Sequence, residues 1–296
     1  YCNLGFGYWN FIIMINLSKT DSILINALSE DIGEGDVTTC AVIPGNHRAK
    51  AVLIAKEDFV LAGLPFAERI FQLLDSELKF KAHKKDGDIV KKGTVIAAIN
   101  GNTRSLLMAE RTALNILQRL SGIATLTCRF VEKVKGLPVK IIDTRKTMPG
   151  LRTFEKYAVR AGGGKNHRFG LFDGILIKDN HINAAGSIEK AVKMAKLKAQ
   201  HMLKIEVEAK NIREVRSALS AGAEIIMLDN MSIEGIKKSV RMIRSQNPKV
   251  IIEASGNINL ENVRVIAETG VDLISVGALT HSATAVDISM DILPLR

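Results

Sequence analysis

"EIIMLDNMSIEGIKKSVRMIRSQNPKVIIEASGN", Glu224 to Asn257, decides the fold. Its ends, "IIMLD" and "VIIEAS", are short runs of β-branched and apolar residues without polar alternation, the pattern of strands covered on both faces. Between them, "SIEGIKKSVRMIRSQ" repeats apolar residues at helical spacing behind a serine suited to an N-cap. One strand, one helix and a second strand of the same kind make a βαβ unit, and such units build parallel sheets.

The unit recurs on both sides. Strand-like runs are "VKIIDTRKT" (139–147), "GILIKDNH" (174–181), "LKIEVEAKN" (203–211), the two above, and "DLISVGALT" (272–280). Helical patterns separate the later ones, with Ser187, Asn211, Ser232 and Asn259 as N-caps and Gly222 and Gly270 as stops. Six such units predict a parallel α/β structure. Polar residues end nearly every strand and no GxGxxG follows the first, which favours a barrel over an open doubly wound sheet.

The earlier part of the chain differs. "RAKAVLIAKEDFVLAG" (48–63) and "LKFKAHKKDGDIVKKGTVIAAINGN" (78–102) read as antiparallel strands with turns at Asp86-Gly87 and Lys92-Gly93. One or two long amphipathic helices follow. The expected organisation is an N-terminal α/β sandwich domain over 14–122 and a barrel domain over 123–280, with the tail 281–296 returning to the first domain. Residues 1–13 are apolar, lack a basic n-region and a cleavage site, and are too short to span a bilayer. They read as an N-terminal extension ahead of Met14, with a membrane or partner anchor as the alternative.

The chain has 296 residues and a net charge of +10, so anionic partners are expected: nucleic acid, an anionic membrane, or small phosphorylated and carboxylated ligands. Aromatic residues are only 5%, and no helix-turn-helix or zinc-finger pattern occurs, which argues against nucleic acid. Three scattered cysteines, with no CxxC, exclude a disulfide framework and fit a reducing cytoplasm.

A parallel barrel gathers its strand ends on one face. Those ends are Arg145 and Lys146, His167 and Arg168 from a glycine-rich segment, Lys178 and Asp179, Glu208, Asp229, Ser255-Gly256 and Gly277-Ala278. Guanidinium groups pair bidentately with carboxylate or phosphate, so Arg145 and Arg168 suit a rigid dianion. Glycines let backbone amides approach an anion closely, and the last two loops of a barrel are a frequent phosphate site. Two carboxylates among cations, Glu208 and Asp229, suit Mg²⁺ held together with substrate phosphates. Lys178-Asp179, or Glu206 and Glu208 with nearby lysines, read equally as structural ion pairs at the rim, and the glycines as turns.

The motifs "EDIGEGDVTT" (30–39), "ERTALNILQRLSGIAT" (110–125), "DTRKTMPGLRTFEKYAVRAGGGKNHR" (143–168), "LIKDNH" (176–181), "LDN" (228–230), "EASGN" (253–257) and "SVGALTHS" (275–282) resemble the quinolinate phosphoribosyltransferase family. The similarity runs from about Asp21 to Pro294 and departs at Asn257, where many members carry a second glycine. It implies a type II phosphoribosyltransferase fold, with an incomplete (β/α) barrel. It also implies transfer of phosphoribose from phosphoribosyl pyrophosphate (PRPP) to quinolinate with decarboxylation, Mg²⁺ as cofactor, and a cytoplasmic homodimer, or a higher oligomer, with shared active sites. No nucleic acid or membrane partner is expected. By the same resemblance, Arg145, His167, Arg168 and Lys178 line the quinolinate site, with Lys146 near both ligands and Arg111 reaching into a neighbouring subunit. Glu208 and Asp229 hold the metal and the ribose or pyrophosphate. Ser255, Gly256, Asn257, Val276, Gly277 and Ala278 bind the 5-phosphate, and Thr144 and His281 belong to matching motifs. Chemistry is expected to rest on Lys146, Lys178, Glu208 and Asp229. The alternatives are a molybdenum-transport-associated homologue and a nucleic-acid-binding protein.

Overall fold

The computed structural model describes residues 17–294. The expectation for residues 1–13 lies outside them. Two compact units divide the chain, residues 1–126, 148–163 and 283–296 in the first, and 127–147 and 164–282 in the second.

The first unit is built on strands β1 (Arg48–Ala55), β2 (Phe59–Val60), β3 (Lys79–Ala82), β4 (Ile89–Val90) and β5 (Val95–Asn102). β1 pairs antiparallel with β5, and β5 with β3. Turns lie at Asp86-Gly87 and Lys92-Gly93 as the sequence indicates. However, β4 pairs with β2 rather than with β3, its neighbour in sequence. One helix, Thr103–Lys133, fills the stretch where one or two were expected. The chain's last strand pairs antiparallel with β1 from Ala49↔Pro294 to Ala55↔Ile288.

Residues 148–163 belong to this first unit, whereas the sequence places them in the barrel. The reason is their apolar face. Helix Arg152–Ala161 buries Phe154 and Tyr157, and both rings pack edge-on against Phe66. The Tyr157 hydroxyl also donates to Asp86, whose carboxyl accepts from the Gly63 and Leu64 amides at the start of helix Leu64–Leu74. Burial pushes the Asp86 pKa up. Arg119 is paired with the fully buried Glu155, a charge that could not stay there unpaired.

The second unit contains β6 (Lys140–Ile142), β7 (Ile175–Ile177), β8 (Ile205–Ala209), β9 (Ile225–Asp229), β10 (Ile251–Ser255) and β11 (Leu273–Ser275). These are the six strands anticipated. They form one parallel sheet in the order β6-β11-β10-β9-β8-β7. β6 and β7 stand at its two edges, so the barrel is incomplete. Lys165 makes an isolated parallel bridge to Ile142 beside β6.

Helices Ile188–Lys198, Ile212–Ser220 and Ile233–Gln246 join the later strands, and Ser187, Asn211 and Ser232 accept hydrogen bonds from their first-turn amides. Asn259 instead caps the turn before helix Val263–Ala267, accepting from the Glu261 and Asn262 amides. The strands carry a period of two beneath their apolar appearance. In β8 the aliphatic residues Ile205, Val207 and Ala209 alternate with two acids, Glu206 and Glu208, all buried. In β10 Ile252 and Ala254 alternate with Glu253 and Ser255. Parallel register aligns Glu208, Met227 and Glu253 across three neighbouring strands on one face. Among the described residues no helix is long and apolar enough to cross a membrane.

Candidate active site

The strand ends of the second unit surround a cavity of about 820 Å³. Thr144, Arg145, Lys146, His167, Arg168 and Lys178 line it, together with Asp229, Ser255, Gly256, Asn257, Gly277, Ala278 and His281.

The cationic side is held by the loops after β6 and before β7. The Thr144 hydroxyl accepts from the Lys146 amide at 3.0 Å, and the Thr280 hydroxyl donates to the Lys146 carbonyl at 2.8 Å. Gly162 ends helix Arg152–Ala161, and Gly163 sits at φ 89°, a left-handed turn that a side chain would strain. That turn delivers the segment "KNHR" to Asp143. The Asp143 carboxylate, fully buried, accepts from the His167 amide at 2.8 Å and from Asn166 Nδ2 at 2.6 Å. Asp173 closes the far end by accepting from the Phe169 and Gly170 amides. Arg168 Nη1 donates to the Gly174 carbonyl at 2.9 Å. Burial, then the like charge of Arg145, pulls the Arg168 pKa down. Arg145 Nε is buried with no hydrogen-bond partner. The like charges of Arg145 and Arg168 therefore repel, Glu206 and Asp173 offset that only in part, and one Arg145 donor is left idle.

The chain just beyond β9 and β10 forms a backbone cradle. Asn230 and Asn257 both adopt left-handed φ, 52° and 49°, which asparagine tolerates. Asn257 Nδ2 donates to Asn230 Oδ1 at 3.0 Å, and Asn230 Nδ2 to Asp229 Oδ2 at 3.0 Å. Gly256 has φ 95°, and a Cβ there would fall 2.2 Å from Asn230 Oδ1. This cradle admits only glycine at 256.

Three sequence-selected residues stand apart from the cavity lining. Val276 is buried and its amide donates to the Ile142 carbonyl, so it ties β6 to the chain after β11. Glu208 is covered by Lys178, whose Nζ lies 2.8 Å from Glu208 Oε2. Arg111 lies in the first unit, where it is exposed beside Asp31, Asp36 and Glu110 and makes no ion pair among the described residues. Of the alternative rim ion pairs, Glu208 with a lysine forms, whereas Lys178 and Asp179 do not pair with each other, because Asp179 turns to Lys210 at 2.8 Å.

Other side chains were missed by sequence reading. Met227, Asn230, Glu253 and Ser275 also line the cavity. Glu206, offered as a rim ion pair, is buried 3.2 Å from His167 Nε2. The signal was available: Glu206 and Glu253 each precede a selected residue by two, the spacing that returns a strand to the same face.

Comparison with known proteins rests on both parts of the chain. The N-terminal domain model of quinolinate phosphoribosyl transferase matches residues 36–121, and the C-terminal domain model matches residues 123–291. The chain belongs to the quinolinate phosphoribosyltransferase family. A probable nicotinate-nucleotide pyrophosphorylase [carboxylating] of Synechocystis is 49% identical over 265 residues, covering 90% of each chain. Its counterpart in Bacillus subtilis is 46% identical over 278 residues, 94% of this chain and 95% of the relative. The crystal structure of NadC from Streptococcus pyogenes superposes with a TM-score of 0.91 at 44% identity, covering 95% of this chain and 99% of the other. The two-part architecture is thus that of a quinolinate phosphoribosyltransferase of type II fold.

Proposed function

We propose that this chain transfers the phosphoribosyl group of PRPP to quinolinate with loss of CO₂, giving nicotinate mononucleotide and pyrophosphate for NAD biosynthesis. The observation that carries this reading is the cationic wall, where Arg145 and Arg168 stand side by side and Arg145 Nε is buried without an acceptor. A planar dicarboxylate would satisfy both. Quinolinate would lie against Arg145, His167, Arg168 and Lys178. PRPP would extend toward Asp229, with its 5-phosphate among the amides of Ser255, Gly256, Asn257, Gly277 and Ala278.

The pyridine nitrogen displaces pyrophosphate at C1 of the ribose, and Lys146 and Lys178 offset charge on the departing group. Nitrogen is then cationic. The bond from C2 to its carboxylate breaks, the electron pair stays on C2 beside that cation, and a proton from water replaces the CO₂. Tight pairing to the C2 carboxylate would hold it in place, so that contact must loosen as the CO₂ departs.

Mg²⁺ fits the oxygen donors present. Parallel register puts Asp229 next to Lys210, two residues beyond Glu208, and Asp179 chiefly, with Glu208 and Asp229 as smaller contributors, holds the Lys210 pKa up. Glu208 and Asp229 would hold the ion, directly or through water, and when bound it adds positive charge at the pyrophosphate. The engagement of Glu208 with Lys178 favours the indirect contact.

Arg111 makes no ion pair among the described residues, which supports a homodimer in which it enters the neighbour's site; the cytoplasm is the proposed location. Mixing Arg111→Ala chains with Lys146→Ala chains should restore activity in part, because one site of each heterodimer regains both groups. Verified heterodimers without activity would contradict the shared site. The reaction itself is tested by supplying quinolinate, PRPP and Mg²⁺. Pyrophosphate and CO₂ should appear in equal amounts, and neither should form if quinolinate is omitted. Steep salt-dependent binding to nucleic acid with no turnover would support the other class.

A further inference from the structure

Behind the cationic wall, His167 is backed by side chains that the proposed reaction does not use. His167 Nε2 is 3.2 Å from Glu206 Oε2 and 3.6 Å from Glu253 Oε2. Glu253 is 1% exposed and Glu206 5%. Glu206 Oε1, Glu253 Oε1 and Ser275 Oγ are buried without hydrogen-bond partners.

The histidine is neutral by geometry. Its Nδ1 accepts the Arg168 backbone amide at 2.7 Å, so the single ring proton is on Nε2, facing the acids. One N–H cannot compensate two buried carboxylates in contact, and such a pair retains a proton. The three side chains also have ligand atoms within 4.8 Å of one another, a spacing that suits a metal. A metal on Nε2 would need the lone pair that the proton occupies, and Arg145 and Arg168 oppose a further cation.

We propose that Glu253 is a positioning residue for substrate recognition: by keeping a proton it leaves the floor with one negative charge, so that the Arg145 and Arg168 pair retains positive charge for the dicarboxylate. Were Glu253 also ionised, the floor would carry two charges and neutralise the wall that quinolinate must meet. Burial first, and the negative Glu206 second, push the Glu253 pKa up to about 8. The groups around Glu253 are Glu206 from β8, Met227 from β9, Ser275 from β11, His167 and Arg168 from the loop before β7, and Arg145 beyond β6. This inference rests on quinolinate binding at Arg145 and Arg168.

The test is the pH profile of kcat/KM for quinolinate, which reports essential groups of the free enzyme. Between pH 7 and pH 9 the unsubstituted protein should lose about tenfold as Glu253 ionises, lowering affinity for quinolinate rather than for PRPP. Glu253→Gln keeps a hydrogen on that side chain and cannot ionise, so the ratio between the two pH values should shrink to about onefold to twofold. An unchanged alkaline loss in that variant, or a folded variant inactive at every pH, would overturn the proposal. If the variant does not fold, calorimetry of quinolinate binding to the unsubstituted protein at pH 8.5, in buffers of different ionisation enthalpy, should show uptake of about three quarters of a proton per site. Absence of uptake would overturn it equally. Normal kinetics in an Arg145→Lys variant at pH 7 would instead sink the assignment of the quinolinate site.

Discussion

Arg145→Lys should lower kcat/KM for quinolinate by about 10²-fold while the KM for PRPP changes little. Total charge is conserved, so a pocket that only collects positive charge would be nearly indifferent to the change. The pocket described here is not of that kind. The Arg145 guanidinium presents a flat set of donors, one of them buried and unpaired, beside a second guanidinium. A lysine offers a point charge with three rotatable donors and cannot reproduce a bidentate contact. Steady-state kinetics with each substrate varied in turn measure the split. A loss confined to PRPP would move Arg145 to the other end of the site.

Asp143→Ala should damage both stability and turnover. The substitution leaves the His167 amide and the Asn166 side chain without their buried acceptor. The expected destabilisation is about 2–5 kcal/mol, read as a lower urea midpoint. Turnover should fall by about 10²-fold, because His167 and Arg168 would leave their positions by an ångström or so. Asp143→Asn can still accept one of the two hydrogen bonds and should fall between. A variant with full activity and reduced stability would show that Asp143 supports the fold without setting the site.

Strand-end reasoning recovers most of the cavity because strand direction is a strong constraint. Once "VKIIDTRKT" and "EIIMLDNM" are read as strands of one parallel sheet, Arg145 and Asp229 must emerge at the same end of it. It cannot see depth. Glu206 and Glu253 sit one step below the rim on the strands that supply Glu208 and Ser255, and a run that looks uniformly apolar conceals them. Asp143 looks like one more residue of a motif until the glycine turn at 163 brings His167 to it. Residues 148–163 are set off by Pro149-Gly150 and by Gly162-Gly163-Gly164, breakers that read equally as loops within the barrel, while Phe154 and Tyr157 find their aromatic partner at Phe66 in the first unit. Asn257 shows the opposite case. A departure from glycine keeps the left-handed φ and adds an amide contact to Asn230, so the local conformation is preserved by another route.

The central claim is that cationic side chains from separate strand ends receive one dicarboxylate in the 820 Å³ cavity. A crystal structure with quinolinate bound tests it most directly. Both carboxylates should lie within hydrogen-bond distance of the Arg145 and Arg168 guanidinium groups, with the ring nitrogen facing Asp229 and the phosphate cradle. Quinolinate seated elsewhere, or bound in this cavity with those two arginines turned away, would contradict the account.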